Sequence, residues 1–345
     1  MGVDLRDLIS RRKVKLQDLS GQSIAIDGFN TLYQFLSIIR GLDGRPLMDK
    51  SGKVTSHLSG LLYRTSNLVE LGILPAFVFD GKPPVLKRVE IQRREEVRRE
   101  ARVRYKRALD EGKFAEARTY AQATSRLTDY MLGDSERLLS LMGIPWIQAP
   151  SEGEAQAAHM AIKGDVWAAG SQDYDAILFG APMLVRNIAI TGRRKLPRKN
   201  VYIEVEPEVV ELKHVLEELG IDRRQLVVLG ILVGTDYNPD GVPGVGPKTA
   251  LSLIKKYSSL GEIRGRLKDD GSFPVDPEEL VEVFLDPEVT DKYLLEWREP
   301  DVEGTMSFLC GERDFSEERV RKALEKMTGG LKETSKRSTL EKWFA

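Results

Sequence analysis

Two short apolar runs near the start of the chain each end in an aspartate. Residues 23–26 read Ser-Ile-Ala-Ile and precede Asp27, and residues 75–79 read Pro-Ala-Phe-Val-Phe and precede Asp80. Two helical patterns separate the runs, from about residue 30 to 39 and from 56 to 71, as in a parallel β-α-β crossover. The chain is therefore predicted to have an α/β fold with a central, mostly parallel sheet flanked by helices. Ligands of open α/β sheets bind outside the carboxyl ends of the strands, so both aspartates are expected at a functional edge.

Further acids follow later strand and helix patterns and bring the candidate set to seven carboxylates: Asp27, Asp80, Glu152, Glu154, Asp173, Asp175 and Asp236. Packed together, they would repel one another strongly unless a cation neutralised them. No His or Cys accompanies them, so the donor set is all oxygen. Such a set suits Mg²⁺ or Mn²⁺ and argues against zinc. The pattern predicts a hard-metal site for phosphoryl transfer.

Simpler interpretations exist for the later acids. Ser151 and Glu154 have the spacing of a capping box at a helix start, which accounts for Glu154 but leaves Glu152 without a role. Asp173 and Asp175 would face the same side of an extended chain, so that one cation could contact both. They could equally be surface-turn residues, as could Asp236 after its apolar run.

A charged insertion is predicted over residues 81–130, beginning with Gly-Lys-Pro-Pro. Pairs of Glu and Arg spaced i,i+4 support a helix there, and apolar residues are too sparse to bury much of it. Such a run is often only a solvated helix face. An excess of positive charge so close to Asp80 instead favours a polyanion passing the site. The cations include Lys87 and Arg94.

Residues 241–250 form a glycine-rich turn between helical patterns. Glycines near a helix start let the backbone approach a phosphate, and the helix N-terminus attracts the anion. Pro247 separates Gly246 from Lys248 and no strand precedes the turn, so it is not a Walker A loop. A helix-hairpin-helix turn that holds a nucleic-acid backbone is predicted, the alternative being a bare inter-helix turn. Gly244, Gly246 and Lys248 are its candidate contacts.

The C-terminal end carries an apolar face without a core to join. Residues 328–338 have no core-forming pattern and are predicted to be flexible. Leu340, Trp343 and Phe344 follow at i, i+3, i+4 spacing, which suits docking into a partner's pocket. The alternative is that the terminus folds back on its own domain.

Bulk properties narrow the remaining possibilities. The net charge of −1 excludes no partner, and the lone Cys310 fits a reducing, cytoplasmic setting. No apolar run is long enough to span a bilayer, so no membrane association is expected. The predicted organisation is an N-terminal region (residues 1–100), the charged insertion (81–130), an internal region with the glycine-rich turn (131–260), a mainly helical part (261–327) and the flexible tail (328–345).

With these residues assembled, the chain resembles the flap endonuclease family over essentially its whole length. The resemblance rests on the order and spacing of short motifs, none specific alone: Met1-Gly2-Val3, Asp27, residues 79–84, residues 150–155, Asp173-Tyr174-Asp175, residues 234–237 and residues 244–248. It implies a PIN-like 5′ nuclease fold with a helical arch and a helix-two-turn-helix module. It implies a monomeric, structure-specific 5′-flap endonuclease with 5′–3′ exonuclease activity in DNA replication and repair, associated with the nucleoid in an archaeal cell.

The resemblance also implies residue roles. Asp27, Asp80, Glu152 and Glu154 would serve one of two divalent cations, Asp173 and Asp175 the other, and Asp236 would act nearby through water. Lys87 and Arg94 would contact the scissile phosphate, Tyr33 would stack on a base, and Gly2 would lie close to the site. The glycine-rich turn would bind duplex backbone with K⁺. The three C-terminal residues would dock on the sliding clamp PCNA, although Arg337 stands where the family usually has Gln.

Two other functions stay open at this point. One is a non-catalytic, clamp-associated DNA-binding protein, which a cluster of carboxylates would hinder. The other is a Mg²⁺-dependent phosphatase of small molecules on an α/β sheet, which would need neither the charged insertion nor the glycine-rich turn.

Overall fold

The computed structural model describes most of the chain. The described residues are 2–41, 44–113, 116, 120, 126–190, 192–195, 202–257, 260–267 and 276–344, without the side chains of 89, 109, 193–195, 202, 203 and 337–344.

A seven-stranded sheet forms the centre of the molecule. Its order is β1-β9-β6-β5-β2-β3-β4, and a separate antiparallel pair is formed by β7 and β8. The run from β6 to β4 is parallel, whereas β9 is antiparallel to β6 and β1 is antiparallel to β9. The strands are β1 Arg12–Lys13, β2 Ser23–Asp27, β3 Leu74–Phe79, β4 Trp146–Gln148, β5 Ala168–Gly170, β6 Met183–Arg186, β7 Gly192–Lys195, β8 Tyr202–Val205 and β9 Glu208–Glu211.

Helices cover both faces of this sheet. They are α1 Gly28–Ile38, α2 Ser56–Glu70, α3 Arg88–Asp110, α4 Asp129–Leu141, α5 Gly153–Ile162, α6 Asp175–Leu178, α7 Leu212–Leu219, α8 Arg223–Val233, α9 Pro247–Lys256, α10 Leu260–Leu267, α11 Pro277–Leu285, α12 Val302–Met306 and α13 Glu317–Phe344. The mostly parallel α/β architecture predicted from the sequence is confirmed. Strand β6 belongs to the large sheet, whereas β8 pairs with β7.

Alternation along the central strands produces two cores. Successive side chains of a strand point to opposite faces. Accordingly, Ala25 packs with α5, α8 and α9 on one face, while Ile24 and Ile26 pack with α2, α4 and α13 on the other. The two faces are both buried, which explains why the strands of the sheet centre are apolar throughout.

The charged insertion begins directly after β3. A short 3₁₀ turn, Val85–Lys87, leads into α3, which is 23 residues long and mostly exposed. Helix α3 carries i,i+4 ion pairs such as Arg94–Glu90 and Arg104–Glu100, as the charge spacing predicts.

The C-terminal region differs from the expectation in two ways. Residues 286–301, after α11, run without regular structure along α5, where Gln156 exchanges two hydrogen bonds of 2.8 Å with the backbone of Thr290. The prediction that residues 328–338 form a flexible segment is wrong, because α13 continues unbroken through them to Phe344. Leu331 packs against the core under α2, and a side chain at Gly330 would meet the Val69 carbonyl.

Among the described residues no helix is long and apolar enough to cross a membrane.

Candidate active site

The carboxyl ends of β2 and β3 place the first two acids at one edge of the sheet. Asp27 is the last residue of β2 and caps α1, accepting a hydrogen bond from the Asn30 amide at 3.0 Å. Asp80 follows β3, remains open to solvent, and accepts from the Gly153 amide at 2.7 Å. These two residues thus fix the strand ends against the starts of α1 and α5.

Helix α5 brings two further acids to the same edge. Glu152 is its N-cap residue and is buried, and Glu154 lies in its first turn, where it accepts a hydrogen bond from the Ser171 hydroxyl. The capping box proposed for Ser151 and Glu154 does not form, because the N-cap residue is Glu152 and its side chain makes no capping hydrogen bond. Glu154 turns toward the acidic cluster instead, where burial and then Asp175 and Asp27 raise its pKa well above the ordinary value.

Asp173 and Asp175 lie beyond β5. They are not in extended chain, since Asp175 is the first residue of the short helix α6, so the reasoning from strand spacing is wrong. They nevertheless flank the same point, because a side chain on Gly2 would collide with both, at 2.6 Å from Asp175 Oδ1 and 2.7 Å from Asp173 Cβ. Asp175 also accepts from the Val3 amide at 2.9 Å, which ties the N-terminal segment to the cluster.

Burial and mutual repulsion dominate the electrostatics of this cluster. Burial and then Asp80 raise the pKa of Asp27 well above the ordinary value. Burial and then the carboxylates of Asp236 and Asp173 raise the pKa of Asp175 to about 7. Glu152 is linked to this set through Asp80, and Glu154 through Asp175 and Asp27, so the seven predicted acids form one electrostatically linked group.

Two cations from the charged insertion reach into this group. The Lys87 ammonium pairs with Glu152 and lies 3.3 Å from Asp236 Oδ2, and Arg94 Nη2 lies 2.6 Å from Asp236 Oδ1. Burial alone would lower the pKa of Lys87, but Glu152 and Asp236 override it and hold that pKa above its usual range. Burial would likewise raise the pKa of Asp236, yet Lys87 and Arg94 hold it below the ordinary value.

As they stand, no three acidic, His or Cys side chains of the described residues are arranged closely enough to hold a metal ion. The donor set is nevertheless chemically suited to a hard cation, because it consists of carboxylates whose repulsion a cation would relieve. Lys87 pairs with Glu152 and Asp236, so a metal ion bound by these two carboxylates would have to displace the Lys87 ammonium.

The predicted nucleic-acid contacts lie at two other places. Tyr33, on α1, faces α3, with the Arg98 guanidinium 5.2 Å from its ring centroid. Gly244 and Gly246 are exposed on the turn that joins α8 to α9, and Lys248 is exposed in the first turn of α9. Gly244 has φ +79°, which favours glycine, and the buried Val242 and Val245 anchor the turn. The side chains of Leu340, Trp343 and Phe344 lie outside the described residues.

Two contacts at the site were not anticipated from the sequence, and a third, between Glu90 and Arg94, was expected only as support for a helix. Glu90 orients Arg94 through a 2.8 Å hydrogen bond to its Nε, Arg93 pairs with Asp240 of the glycine-rich turn at 2.9 Å, and the Tyr237 ring lies under Lys87. The i,i+4 spacing of Glu90 and Arg94 was visible, but only as helix support. Contacts between α3 and the turn depend on tertiary packing that no spacing in the sequence encodes.

Comparison with known proteins identifies the family to which the chain belongs. Residues 1–101 match the model of the XPG N-terminal domain, and residues 143–236 match that of the XPG I-region, so the fold and site define an XPG-type nuclease. The chain is 53% identical to flap endonuclease 1 of Staphylothermus marinus over 100% of both chains, and 54% identical to that of Thermococcus onnurineus over 100% of this chain and 99% of the relative. The chain belongs to the flap endonuclease 1 family.

Solved structures agree in fold. Flap endonuclease-1 from Methanococcus jannaschii superposes with a TM-score of 0.75 at 43% identity, covering 96% of this chain and 99% of that one. The catalytic core of Rad2 in complex with DNA substrate gives a TM-score of 0.70 at 26% identity, covering 95% of this chain and 100% of that one. The family resemblance and the 5′ nuclease fold predicted from the sequence are confirmed.

Proposed function

We propose that this chain is a structure-specific 5′-flap endonuclease, with 5′–3′ exonuclease activity, that cleaves phosphodiester bonds at single-strand/duplex junctions of DNA in replication and repair. The observation that carries the proposal is the meeting of opposite charges at the sheet edge: seven linked carboxylates lie beside Lys87 and Arg94 of the charged insertion. A carboxylate cluster alone would repel a phosphodiester, whereas carboxylates that hold cations beside two basic side chains would attract one.

Mg²⁺, with Mn²⁺ as a substitute, is the cofactor we propose. Asp27, Asp80, Glu152 and Glu154 would hold one ion, and Asp173 and Asp175 the other, with Asp236 nearby. When bound, such ions lower the pKa of a water and offset charge on the scissile phosphate. The support is the all-oxygen donor set and the raised pKa of Asp27 and Glu154, since a bound cation would stabilise the charged carboxylates that burial and then neighbouring acids disfavour.

Lys87 and Arg94 are proposed to act on the substrate. Lys87 is half-buried between Glu152 and Asp236, which is a costly position for an unpaired ammonium. Once other cations neutralise those carboxylates, its charge would be available to the scissile phosphate. Arg94, held by Glu90, would contact the same phosphate.

The DNA contacts are proposed from exposure and backbone geometry. The turn with Gly244, Gly246 and Lys248 would hold duplex backbone at the start of α9, with K⁺ as a bridging ion, because backbone amides and a lysine suit phosphate oxygens. Tyr33 would stack on a base beside the cleaved bond, and Gly2 would border the metal site. Phosphate contacts carry no sequence information, so selectivity would follow substrate shape.

A sliding clamp, PCNA, is the proposed protein partner, docked through the C-terminal residues, and the enzyme itself is proposed to be monomeric. Action on genomic DNA would place it in the cytoplasm at the nucleoid, in keeping with its single cysteine. The alternative of a non-catalytic clamp-associated binder is disfavoured, because buried acids weaken simple DNA binding.

One assay tests the function. A 5′-flap duplex and a small phosphate ester are each incubated with the protein and Mg²⁺, Mn²⁺, Ca²⁺ or chelator. We expect cleavage at the flap junction with Mg²⁺ or Mn²⁺ only, and no turnover of the ester. Turnover of the ester without flap cleavage would indicate the phosphatase, and DNA binding without cleavage in any metal would indicate the non-catalytic binder.

A further inference from the structure

Tyr237 directly follows Asp236 in the chain and has no role in the function proposed above. Its side chain is only 2% exposed, and its ring centroid lies 5.2 Å from the Lys87 ammonium. On its other side the ring packs edge-on against Phe284 of α11, with centroids 5.4 Å apart and an interplanar angle of 85°. The ring therefore joins the C-terminal helices to the cation of the active site.

The hydroxyl of Tyr237 also borders the acidic cluster. Burial and then the Glu152 carboxylate raise the pKa of Tyr237. Neither Tyr237 Oη nor Glu152 Oε1 makes a hydrogen bond of good geometry, although Oε1 is ion-paired with Lys87. The contact between Tyr237 and Lys87 is thus made through the ring face, where the negative quadrupole of the aromatic attracts a cation.

A cavity of about 370 Å³ borders this ring. Its lining includes Tyr237, Glu152, Phe179, residues 82–85 and residues 286–288, but not Lys87. The ring and the Glu152 side chain thus border the cavity and also contact the Lys87 ammonium. If the ring were removed, the flexible Lys87 side chain would gain open space next to it.

We propose that Tyr237 is a positioning residue for the chemical step: its ring fixes the Lys87 ammonium over the active site when Glu152 and Asp236 exchange their pairing for divalent cations. Two carboxylates hold Lys87 in the structure described here. Divalent cations compete for both carboxylates, whereas nothing in the reaction competes for the ring. The inference rests on the proposed function, since it assigns Lys87 a part in cleavage.

Substitutions at position 237 test the ring contact. We expect Tyr237→Leu and Tyr237→Met to lower the single-turnover rate on a 5′-flap duplex by about tenfold or more, as befits the loss of a desolvated ring–cation contact. The affinity for the flap in Ca²⁺ should stay within about twofold, because Tyr237 is buried and cannot reach the DNA. Tyr237→Phe should retain a rate within about threefold of wild type, because it keeps the ring.

Phe284→Leu is the matched packing control. It removes an aromatic from the same stack but has no contact with Lys87, so it should lower the melting temperature while leaving the rate within about threefold of wild type. If Tyr237 had a merely structural role, the cleavage rate and the melting temperature would fall together in the Tyr237→Leu protein and in the Phe284→Leu protein. All melting temperatures are measured without metal. If Tyr237→Leu does not fold, Tyr237→Met replaces it in the comparison.

A double-mutant cycle with Lys87→Ala decides whether Tyr237 acts through Lys87. We expect the substitutions at 237 to slow cleavage strongly in wild type and hardly at all in Lys87→Ala. Equal losses in both backgrounds, a Phe variant as slow as Leu, or a Leu variant as fast as wild type would each overturn the inference. Absence of flap cleavage by the wild-type protein would instead overturn the proposed function.

Discussion

Lys87 is the residue at which the opposing charges of the active site meet. Its side chain is 19% exposed, and two carboxylates offset the cost of burying its charge. We expect Lys87→Ala to lower the single-turnover cleavage rate by about tenfold or more, in line with the loss of other electrostatic stabilisers. Lys213→Ala, on the exposed face of α7, is the control and should leave the rate unchanged. An unchanged rate with weaker DNA binding would contradict the role in chemistry.

Asp175 shows how a residue can be needed for activity and still cost stability. It is 3% exposed, and burial and neighbouring carboxylates raise its pKa to about 7. Asp175→Asn keeps an acceptor for the Val3 amide but removes charge from the cluster. We expect the metal-free variant to melt at the same or a higher temperature and to lose Mg²⁺-dependent flap cleavage. Asp129→Asn, on the surface, should change neither, and near-normal turnover by Asp175→Asn would contradict the metal assignment.

His57 provides a pH dependence away from the active site. It is fully buried in α2 with no partner for either ring nitrogen, and burial lowers its pKa from 6.5 to about 4. Between these values the unfolded chain binds a proton that the folded chain does not, so stability is complete above about pH 6.5 and falls toward pH 4. The loss from this residue approaches about 3 kcal/mol at most.

The experiment compares the free energy of unfolding at pH 7 and pH 4.5 by chemical denaturation. We expect His57→Leu to lose less stability between the two conditions than wild type does. His214→Leu, an exposed histidine on α7, should leave the wild-type difference in place. Equal pH dependence in wild type and His57→Leu would show that His57 is not the source.

At the scale of elements, the turn between α8 and α9 separates two reasons for glycine. Gly244 has φ +79°, so its backbone favours glycine whatever it binds. Gly246 has an ordinary φ of −85° as the N-cap of α9, and a side chain there would meet no atom within 4 Å. The fold therefore does not require glycine at 246, whereas close approach of a phosphate backbone would.

We accordingly expect Gly246→Ala to change the free energy of unfolding by less than about 1 kcal/mol, the usual scale of an N-cap change. Its dissociation constant for a flap duplex, measured in Ca²⁺, should nevertheless rise severalfold. Gly133→Ala, an open position on helix α4, should leave DNA affinity unchanged. Wild-type affinity in Gly246→Ala would remove the turn from the DNA interface.

The elements that the sequence predicted best are those whose pattern is local. Asp27 and Asp80 follow apolar runs, and the structure places both at strand ends. Their positions could be predicted because a buried parallel strand has a continuous apolar sequence. Asp173 and Asp175 were placed near the site for the wrong reason, since a one-turn helix begins at Asp175. The Ser151–Glu154 spacing predicted a cap, but Glu154 bonds Ser171 instead. Tertiary contacts decided both cases.

At the scale of the whole molecule, the C-terminal third completes both cores. Val320, Leu324 and Met327 of α13 are buried with α2, and the Trp297 indole donates to the Pro75 carbonyl of β3 at 2.7 Å. The sequence suggested a flexible tail from residue 328 because apolar residues become sparse there. A helix needs few of them when small residues such as Gly330 allow close approach to a neighbour. Packing of α13 on α2, which is non-local, therefore could not be predicted.

This packing sets where the chain can be shortened. Gly330 and Leu331 still contact the core, and the Thr334 hydroxyl donates back within the helix to the Gly330 carbonyl. We expect a chain ending at residue 336 to keep its melting temperature within a few degrees and its flap cleavage unchanged. A chain ending at residue 316 removes Val320, Leu324 and Met327 and should not fold.

The proposed clamp contact can then be separated from the fold. Leu340, Trp343 and Phe344 have i, i+3, i+4 spacing in the sequence, and α13 extends that far. In calorimetric titrations against the cognate clamp, we expect the full chain to bind and the chain ending at 336 not to bind. Trp343→Ala with Phe344→Ala should lose most of the affinity, because buried aromatics dominate such anchors. Lys342→Ala, between them, is the matched control and should bind. Arg337→Gln, which restores the family's usual residue, should bind more tightly than wild type. Equal binding by the full and shortened chains would show that the clamp, if bound, docks elsewhere.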